Sequence, residues 1–291
     1  MPRKWWLHLL LFLLTLLTTT TFGFALAQSY SAARPLNEEF LAQGYLQIMR
    51  GSSRLWVGAI YSIPLLLILL AHEFGHYFTC RKWGVNSTLP YFAPSPTLLG
   101  TFGAFIWVRS PIYKRRSLFD IGVSGPIAGF IVLIPFLVAG VWRSRVVHGM
   151  QTDAPFVFGT PILLSTLEWL RFPGVRSADI CLHPMAMAAW AGLLATAINL
   201  LPVGQLDGGH ILYAVLGERG HRVASLAFIC ALVLFGFLYW PWWVWAAVMF
   251  FLRRHPLIYD EEPLGRRRLA TTGVALLLFV LSMSIVPVQI R

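Results

Sequence analysis

Apolar residues in this chain form long continuous runs, separated by short segments that carry most of the charged residues. A helix needs about 20 apolar residues to cross a bilayer, so each long run is a candidate transmembrane span. The candidates, of which the sixth is the shortest, are Leu7–Ala27, Leu55–Phe78, Leu118–Val141, Met185–Leu201, Val223–Trp240, Pro241–Leu252 and Leu269–Val286. The pattern predicts an α-helical polytopic membrane protein with about six to seven transmembrane helices.

Composition supports a membrane protein independently of the run lengths. Hydrophobic residues make up 57% of the chain and charged residues 12%, with a mean hydropathy of +0.67. A typical soluble domain has about 25% charged residues. The formal net charge is +11, but the basic residues stand in short clusters beside apolar runs, as membrane anchors do. We therefore expect the lipid bilayer as a partner and exclude nucleic acid.

The basic clusters also predict an orientation. Counted by the positive-inside rule, they place residues 79–117, 202–222 and 253–268 on the cytoplasmic side and residues 142–184 outside. The expected location is a bacterial-type plasma membrane, which the chain crosses several times, with the candidate chemistry toward the cytoplasm.

The first span has two interpretations. Arg3 and Lys4 precede the apolar stretch, and Ala25-Leu26-Ala27 follows it. This order is typical of a signal peptide with a cleavage site, but the apolar stretch exceeds the usual 7–15 residues, which favours an uncleaved anchor.

We expect three regions along the chain. Residues 1–54 contain the N-terminal span and an exterior segment, residues 55–213 form a catalytic membrane core, and residues 214–291 supply C-terminal transmembrane helices. No polar insertion is long enough for a separate soluble domain of even about 50 residues.

The loop after the second span has an unusual composition. Residues 89–96 contain three prolines, which exclude a helix, and residues 100–108 are rich in glycine, aromatic and β-branched residues, which predicts a strand. One interpretation is a short membrane-associated β element that pairs with an unwound peptide by strand addition. The other is a loop that rests on the membrane interface.

The second span ends in the sequence HEFGH, in which His72, Glu73 and His76 stand together. On a helix, positions i and i+4 share a face, so two imidazoles can hold one zinc ion while the carboxylate between them activates water. Ionisable groups are costly inside a membrane, so such a group of three needs a functional explanation. The competing interpretation is a pair of buried, hydrogen-bonded histidines.

Catalytic zinc sites usually have three protein ligands, so a third is needed from elsewhere. Asp207 stands in a Gly- and Pro-interrupted apolar segment after the fourth span, where a carboxylate needs a cation partner. It is a candidate ligand, and a helix-capping role is the alternative. His210, three residues later, is either a partner of the ligands or an alternative ligand.

The HEFGH motif, followed on a later span by Asn199-Leu-Leu-Pro202-Val-Gly-Gln-Leu-Asp207-Gly208, resembles the site-2 protease family of intramembrane zinc metalloproteases. The resemblance covers about residues 55–213. The sequence shows no evident PDZ or CBS domain, which some members of the family have. It implies one Zn²⁺ per chain held by His72, His76 and Asp207. It also implies Glu73 as the general base and Asn199 as a catalytic residue that holds the substrate backbone or polarises its carbonyl.

The predicted function is that of a zinc metalloendopeptidase, a hydrolase that cuts a peptide bond in or near a transmembrane segment of a membrane-protein substrate. The alternatives are a catalytically silent membrane binder and a metal transporter. A silent relative would have lost zinc-site residues, and a transporter would distribute polar residues along its spans. The sequence specifies neither the substrate nor the oligomeric state.

Overall fold

The computed structural model describes residues 5–96, 98–150, 154–258, 260 and 262–290. Arg3 and Lys4, part of the possible signal sequence, lie outside the described residues. The described part of the chain is mostly helical. Its α-helices, numbered α1 to α9 in chain order, are Trp5–Ala32, Glu38–Met49, Ala59–Lys82, Arg115–Arg143, Ile162–Arg171, Pro184–Asn199, Asp207–Phe235, Pro241–Leu252 and Arg266–Ser282. A 3₁₀ helix, Ser53–Gly58, leads directly into α3.

Three helical segments are long and apolar enough to cross a membrane. They are α1, the 3₁₀ helix continued by α3 (Ser53–Lys82), and α4, and they contain the first three predicted spans. The apolar helices α6 and α8 are shorter, with 16 and 12 residues. These three segments support the predicted membrane protein, whereas the count of six to seven transmembrane helices is not confirmed.

The fifth predicted span differs in its boundaries. Val223–Trp240 was expected as one helix, but α7 begins at Asp207 and ends at Phe235. Within α7 the helix is interrupted at Gly217, whose φ of 71° and ψ of −176° are not helical. The guanidinium of Arg115 donates to the carbonyl oxygens of Ala214 and Val215 just before this break. It thereby satisfies acceptors that the interrupted helix leaves without their usual donors.

Helix α1 packs against the start of α3 through small residues. At Gly58, which ends the 3₁₀ helix, an added Cβ would overlap the carbonyl oxygen of Thr20. The hydroxyls of Thr20 and Ser62 lie 2.9 Å apart and are hydrogen-bonded. Small residues and hydroxyl pairs are common where helices approach closely in membranes. The main hydrophobic core then extends over α1, α3, α4 and α6.

A β-hairpin follows α3, formed by β1 (Tyr91–Pro94) and β2 (Thr101–Phe105) in an antiparallel pair. The predicted strand is thus present, and part of the proline-rich segment is its partner. The hairpin lies along α1: the Pro90 oxygen is 3.0 Å from His8 Nδ1, and the Thr18 hydroxyl donates to Gly100. Its tip is held by Tyr61 of α3, whose hydroxyl donates to the oxygen of Leu99.

The other strands are short. β3 (Arg145–Val146) pairs with β5 (Ile180–Cys181), and β4 (Phe156–Phe158) pairs with β6 (Val288–Ile290). They connect the segments that follow α4, α5 and α9.

Asp120, near the start of α4, forms an ion pair with a residue far along the chain, although Lys114, Arg115 and Arg116 stand close to it in the sequence. The guanidinium of Arg268 on α9 contacts both carboxylate oxygens, at 2.7 and 2.8 Å, and the Trp83 indole donates to the same group. The interaction connects α4 with α9 and with the end of α3.

The fold predicts that the C-terminal end of α3 and the first half of α7 lie on the same membrane face. We expect single cysteines at the exposed positions Arg81 and Arg219 to react alike with a membrane-impermeant thiol reagent in intact cells. A cysteine at Thr166, on α5, should react from the opposite side. The background lacks Cys80, Cys181 and Cys230. If the cysteines at positions 81 and 219 were labelled from opposite faces of the membrane, a site shared by α3 and α7 would be contradicted.

Candidate metal centre

The two histidines of the HEFGH motif lie in the last two turns of α3 and face α4. Both are buried, each with 6% of its surface exposed. Glycines of α4 make room for them: an added Cβ at Gly125 would overlap the His76 imidazole, and one at Gly129 would lie 3.1 Å from His72 Cβ. Because α4 has no side chain at these positions, the imidazoles can lie against its backbone.

Asp207 reaches the same place from the connection between α6 and α7. Gly204 has a φ of +60° in this connection, a left-handed conformation that favours glycine. The chain then enters α7 with Asp207 as its first residue. Negative charge is favourable at a helix N-terminus, where backbone N–H groups lack partners within the helix.

Three acceptor atoms meet at this point. Asp207 Oδ2 lies 3.2 Å from His72 Nε2 and 3.2 Å from His76 Nε2, and the two nitrogens are 3.1 Å apart. Among the described residues, these three side chains form the group of histidine, cysteine, aspartate and glutamate that could hold a metal ion.

The hydrogen bonding of His76 fixes its tautomer. Its Nδ1 lies 2.7 Å from the backbone oxygen of Ile121, so Nδ1 carries the proton and donates it. The lone pair of Nε2 therefore points at His72 and Asp207. Close lone pairs repel each other, which a cation between them would relieve.

The spacing of the three atoms fits zinc. Zinc bonds of about 2.0–2.2 Å in a tetrahedron put neighbouring ligand atoms roughly 3.3–3.6 Å apart. The observed separations of 3.1–3.2 Å are close to that range. Two imidazole nitrogens with one carboxylate oxygen are also a ligand set that catalytic zinc sites use.

The other two predicted site residues lie beside this group. Glu73 is 5% exposed and lies beside the backbone of Ile106, just after β2. The side-chain nitrogen of Asn199, the last residue of α6, lies 3.2 Å from His72 Nε2. A cleft of about 100 Å³ opens between α3, β2 and α6, and Glu73 and Asn199 are part of its lining. The structure thus brings together all five residues that the sequence singled out.

His210 lies at the edge of the centre and is turned toward a different partner. Its Nδ1 is 2.9 Å from Nε2 of His255, and Nδ1 of His255 is 2.7 Å from the oxygen of Pro256. The Pro256 carbonyl can only accept a hydrogen bond, so Nδ1 of His255 carries the proton. Nε2 of His255 is then an acceptor, and Nδ1 of His210 donates a hydrogen bond to it. His210 also lines the pocket that contains His72, Glu73 and Asp207.

Sequence reasoning did not identify the contacts that orient the histidines. The Ile121 carbonyl is a backbone group that has no sequence signal. Gly125 and Gly129 stand in the third predicted span, and the HEFGH spacing gives no indication that they face the imidazoles.

Comparison with known proteins gives the family. Residues 60–240, well over half of the chain, match the model of peptidase family M50. The chain belongs to this family. It is 31% identical over 227 residues to a protein of Arabidopsis thaliana named probable zinc metalloprotease EGY1, chloroplastic. It is 32% identical over 228 residues to one of Oryza sativa subsp. indica named probable zinc metalloprotease EGY2, chloroplastic.

These alignments cover 75% and 76% of this chain but 41% of each relative. The M50 chain therefore spans about two fifths of the length of the curated relatives it matches. The predicted site-2 protease family is confirmed, and the names of these relatives agree with the predicted class of enzyme, a zinc metalloendopeptidase.

Removal of Asp207 should disrupt metal binding more than removal of His210. We expect the purified M50 chain to contain about one zinc, Asp207→Ala to lose most of it, and His210→Ala to weaken binding by about 10–100-fold at most, as changes beside a ligand do. Metal analysis of detergent-purified protein measures this. Asp120→Ala, which removes a carboxylate elsewhere, is the control. A larger loss in His210→Ala than in Asp207→Ala would make His210 the ligand.

A substitution at Gly125 provides a second test, because glycine has no side chain that could bind a metal ion or take part in catalysis. Gly125→Ala should lower zinc affinity by at least about tenfold, since the new methyl group would displace the His76 imidazole. Gly273→Ala on α9 is the matched control, because an added Cβ there meets no atom within 4 Å. Competition with a chelator gives both affinities. Equal affinities would show that α4 does not constrain His76.

Proposed function

We propose that this chain is the catalytic membrane core of a zinc endopeptidase that hydrolyses a peptide bond in or near a transmembrane segment of another membrane protein. The observation that carries the proposal is the meeting of His72, His76 and Asp207 beside Glu73, inside a helical bundle with three apolar helices of spanning length. The names of the relatives, which include zinc metalloprotease, support the same function.

His72, His76 and Asp207 would hold one zinc ion per chain. When bound, the ion would supply a Lewis acid that polarises a carbonyl and makes water more acidic. The carboxylate of Asp207 would offset part of the ion's charge, and the bond from His76 to Ile121 would keep that imidazole in the ligating orientation.

Glu73 is the proposed general base. Its carboxylate would take a proton from the attacking water as the water oxygen bonds to the peptide carbon. As the carbon–nitrogen bond breaks, Glu73 would return that proton to the leaving amine, so that the products are a carboxylate and an amine. The burial of Glu73 and its contact with the Ile106 backbone would hold the carboxylate in one position.

Strand β2 is the proposed docking edge for the substrate. It pairs with β1 on one side, and in the described chain no strand pairs with its other side. Residues 102–104 line the cleft together with Glu73 and Asn199. A helical substrate hides its carbonyls in its own hydrogen bonds, and an edge strand offers replacement partners for an unwound segment. Asn199 would help to hold the substrate backbone or polarise its carbonyl.

The side of the membrane is also part of the proposal. Basic residues around Arg81-Lys82 and Arg266–Arg268 lie near the end of the bundle that contains the metal centre, which supports a cytoplasmic-side site by the positive-inside rule. The prediction of a bacterial-type plasma membrane stays a prediction, and the relatives' names specify the chloroplast.

Glu73→Gln separates hydrolysis from binding. The variant keeps the shape of the side chain but removes the base, so we expect zinc content near wild type and hydrolysis lower by about 10²–10⁴-fold. Single-span membrane proteins that co-purify with Glu73→Gln should appear as fragments with the wild type. Asp120→Asn, outside the site, is the control variant. Wild-type rates of cleavage of a trapped protein by Glu73→Gln would rule out this mechanism.

A further inference from the structure

A second cavity, lined by residues of α7 and of the segment after α8, carries several basic side chains. Its volume is about 380 Å³, within the range of roughly 300–1,000 Å³ that is usual for small-molecule sites. Its polar lining comes from α7 and the segment after α8, and includes Tyr213, His221, Arg222, Arg253, Arg254 and His255. We call it the basic cavity.

The charges of the basic cavity are not balanced by the described protein. Glu218 is the one acidic residue in its described lining, and it pairs with Arg222 at 2.5 Å. Arg253 donates to the Phe250 oxygen and lies over the Phe250 ring, 3.8 Å from the centroid. No described carboxylate pairs with Arg253 or Arg254. Two guanidinium groups therefore contribute uncompensated positive charge to a concave surface.

Donors for an oxyanion are also present. The Tyr213 hydroxyl accepts a hydrogen bond from the backbone of Ile258, which leaves its own proton for an acceptor in the cavity. Arginine forms paired, charge-assisted hydrogen bonds with the oxygens of a phosphate group. The combination of two arginines, a phenol and a volume larger than a bare phosphate fits a phosphate ester.

The basic cavity shares its walls with the segment that presents Asp207. Ser225 donates to the Pro202 oxygen, and the His221 side chain lies beside the backbone of Gly204. An added Cβ at Gly204 would overlap the backbone of Leu252, the residue before Arg253. The connection between α6 and α7 is thus packed between the metal centre on one side and the cavity walls on the other.

A histidine pair connects the two sites directly. His255 lines the basic cavity, His210 lines the pocket of the metal centre, and the hydrogen bond between them is 2.9 Å long. The Tyr213 ring stacks on the His255 imidazole, with ring centroids 4.2 Å apart. A ligand that orders Tyr213 or Arg254 would therefore also restrict His255 and, through it, His210.

We propose that the basic cavity binds a phosphate-bearing anion, and that the bound anion stabilises the arrangement of the α6–α7 connection in which Asp207 reaches His72 and His76. The phosphate comes either from a lipid headgroup or from a soluble phosphate ester. The exposed apolar residues next to the cavity, Val223 and Phe251, are 69% and 80% exposed and suit a position at the membrane interface, where basic pockets bind lipid headgroups. The proposed anion site does not depend on the proposed function, whereas the effect of the anion on Asp207 rests on that function.

The experiment uses the full chain purified in a neutral detergent, with two kinds of probe. Soluble phosphate esters are represented by inorganic phosphate and by a nucleoside triphosphate without added metal. Lipid headgroups are represented by detergent micelles that contain phosphatidic acid, with phosphatidylcholine micelles for comparison. Binding is measured directly by titration calorimetry and, separately, by the shift in the unfolding temperature.

We expect saturable binding of at least one phosphate probe, weakened by at least about tenfold in the double variant Arg253→Gln/Arg254→Gln, because charged hydrogen bonds to two guanidinium groups are lost. The control is Arg266→Gln/Arg267→Gln, which removes the same charge from two exposed residues at the start of α9 and should bind as wild type does. Preference for phosphatidic acid assigns the lipid headgroup, and preference for the soluble probes assigns a free ester.

Two outcomes would overturn the proposal. One is the absence of saturable binding by any phosphate probe to the folded wild-type chain. The other is an equal loss of affinity in both double variants, which would indicate general charge attraction rather than a site. If Arg253→Gln/Arg254→Gln does not fold, Tyr213→Phe serves instead: it removes the proposed donor but retains the ring that stacks on His255, and unchanged affinity would contradict the site.

The coupling has its own readout. With the anion bound, the wild-type chain should hold zinc more tightly against a chelator, and this gain should be absent in Arg253→Gln/Arg254→Gln. Anion binding without any change in zinc affinity would retain the site and reject the coupling to Asp207. Failure of Glu73→Gln to lose hydrolysis would reject the proposed function and leave anion binding unaffected, so the two failures are distinguishable.

Discussion

The close packing of α3 against α4 is the constraint on which the metal centre depends. An added Cβ at Gly75 of α3 would lie 2.5 Å from the carbonyl oxygen of Ser124, so the two backbones meet there without side chains between them. This close approach of the two helices brings the His76 imidazole to the Ile121 carbonyl. The hydrogen bond between them turns Nε2 of His76 toward Asp207. A larger residue at this crossing would separate the helices and leave the imidazole without its orienting acceptor.

The carboxylate of Asp207 is the costly element of this arrangement. A buried ionised carboxylate requires charged or hydrogen-bonding partners to offset its loss of solvation. Here it has two imidazoles at 3.2 Å and a helix N-terminus behind it. The connection between α6 and α7 must hold it there, and the hydrogen bond from Ser225 to Pro202, with His221 beside Gly204, explains how α7 keeps that connection in place. The metal centre is thus held from α4 on one side and from the second half of α7 on the other.

The residues of the metal centre could be predicted from the sequence, whereas the tertiary contacts that hold them could not. The i, i+4 spacing of His72 and His76 is local information, and a continuous apolar run fixes the helix that carries them. Asp207 could be singled out because a lone carboxylate in an apolar segment is costly. Partners chosen by tertiary structure were not predictable: Asp120 pairs with Arg268, 148 residues away, although three basic residues precede it. The pairing of His210 with His255 was equally unpredictable, since it depends on how α7 packs against α8 and the segment that follows it.

Helix lengths were the least predictable part of the fold. Hydropathy identifies apolar residues but not the points at which a helix begins and ends. Helices α6 and α9 begin before the apolar runs predicted for them and end before those runs do, whereas α8 matches its run of 12 residues. Within α7 the break at Gly217 divides the lining of the basic cavity, with Tyr213 before it and His221 and Arg222 after it. The sequence around Gly217 did not mark this break, because the donor to the carbonyls just before it, Arg115, comes from a different helix.

The position of the hairpin relative to Glu73 addresses the main physical obstacle to peptide hydrolysis in a membrane. A peptide group that loses its helical hydrogen bonds in a dry environment costs several kcal/mol unless new partners are available. Strand β2 lies along the cleft, and the backbone just after it contacts Glu73. If an extended segment pairs with β2, its carbonyls exchange one set of hydrogen bonds for another within reach of the base. The contacts of the hairpin with α1, from His8 to Thr18, then matter to the chemistry, because they hold the strand at the depth of the metal centre.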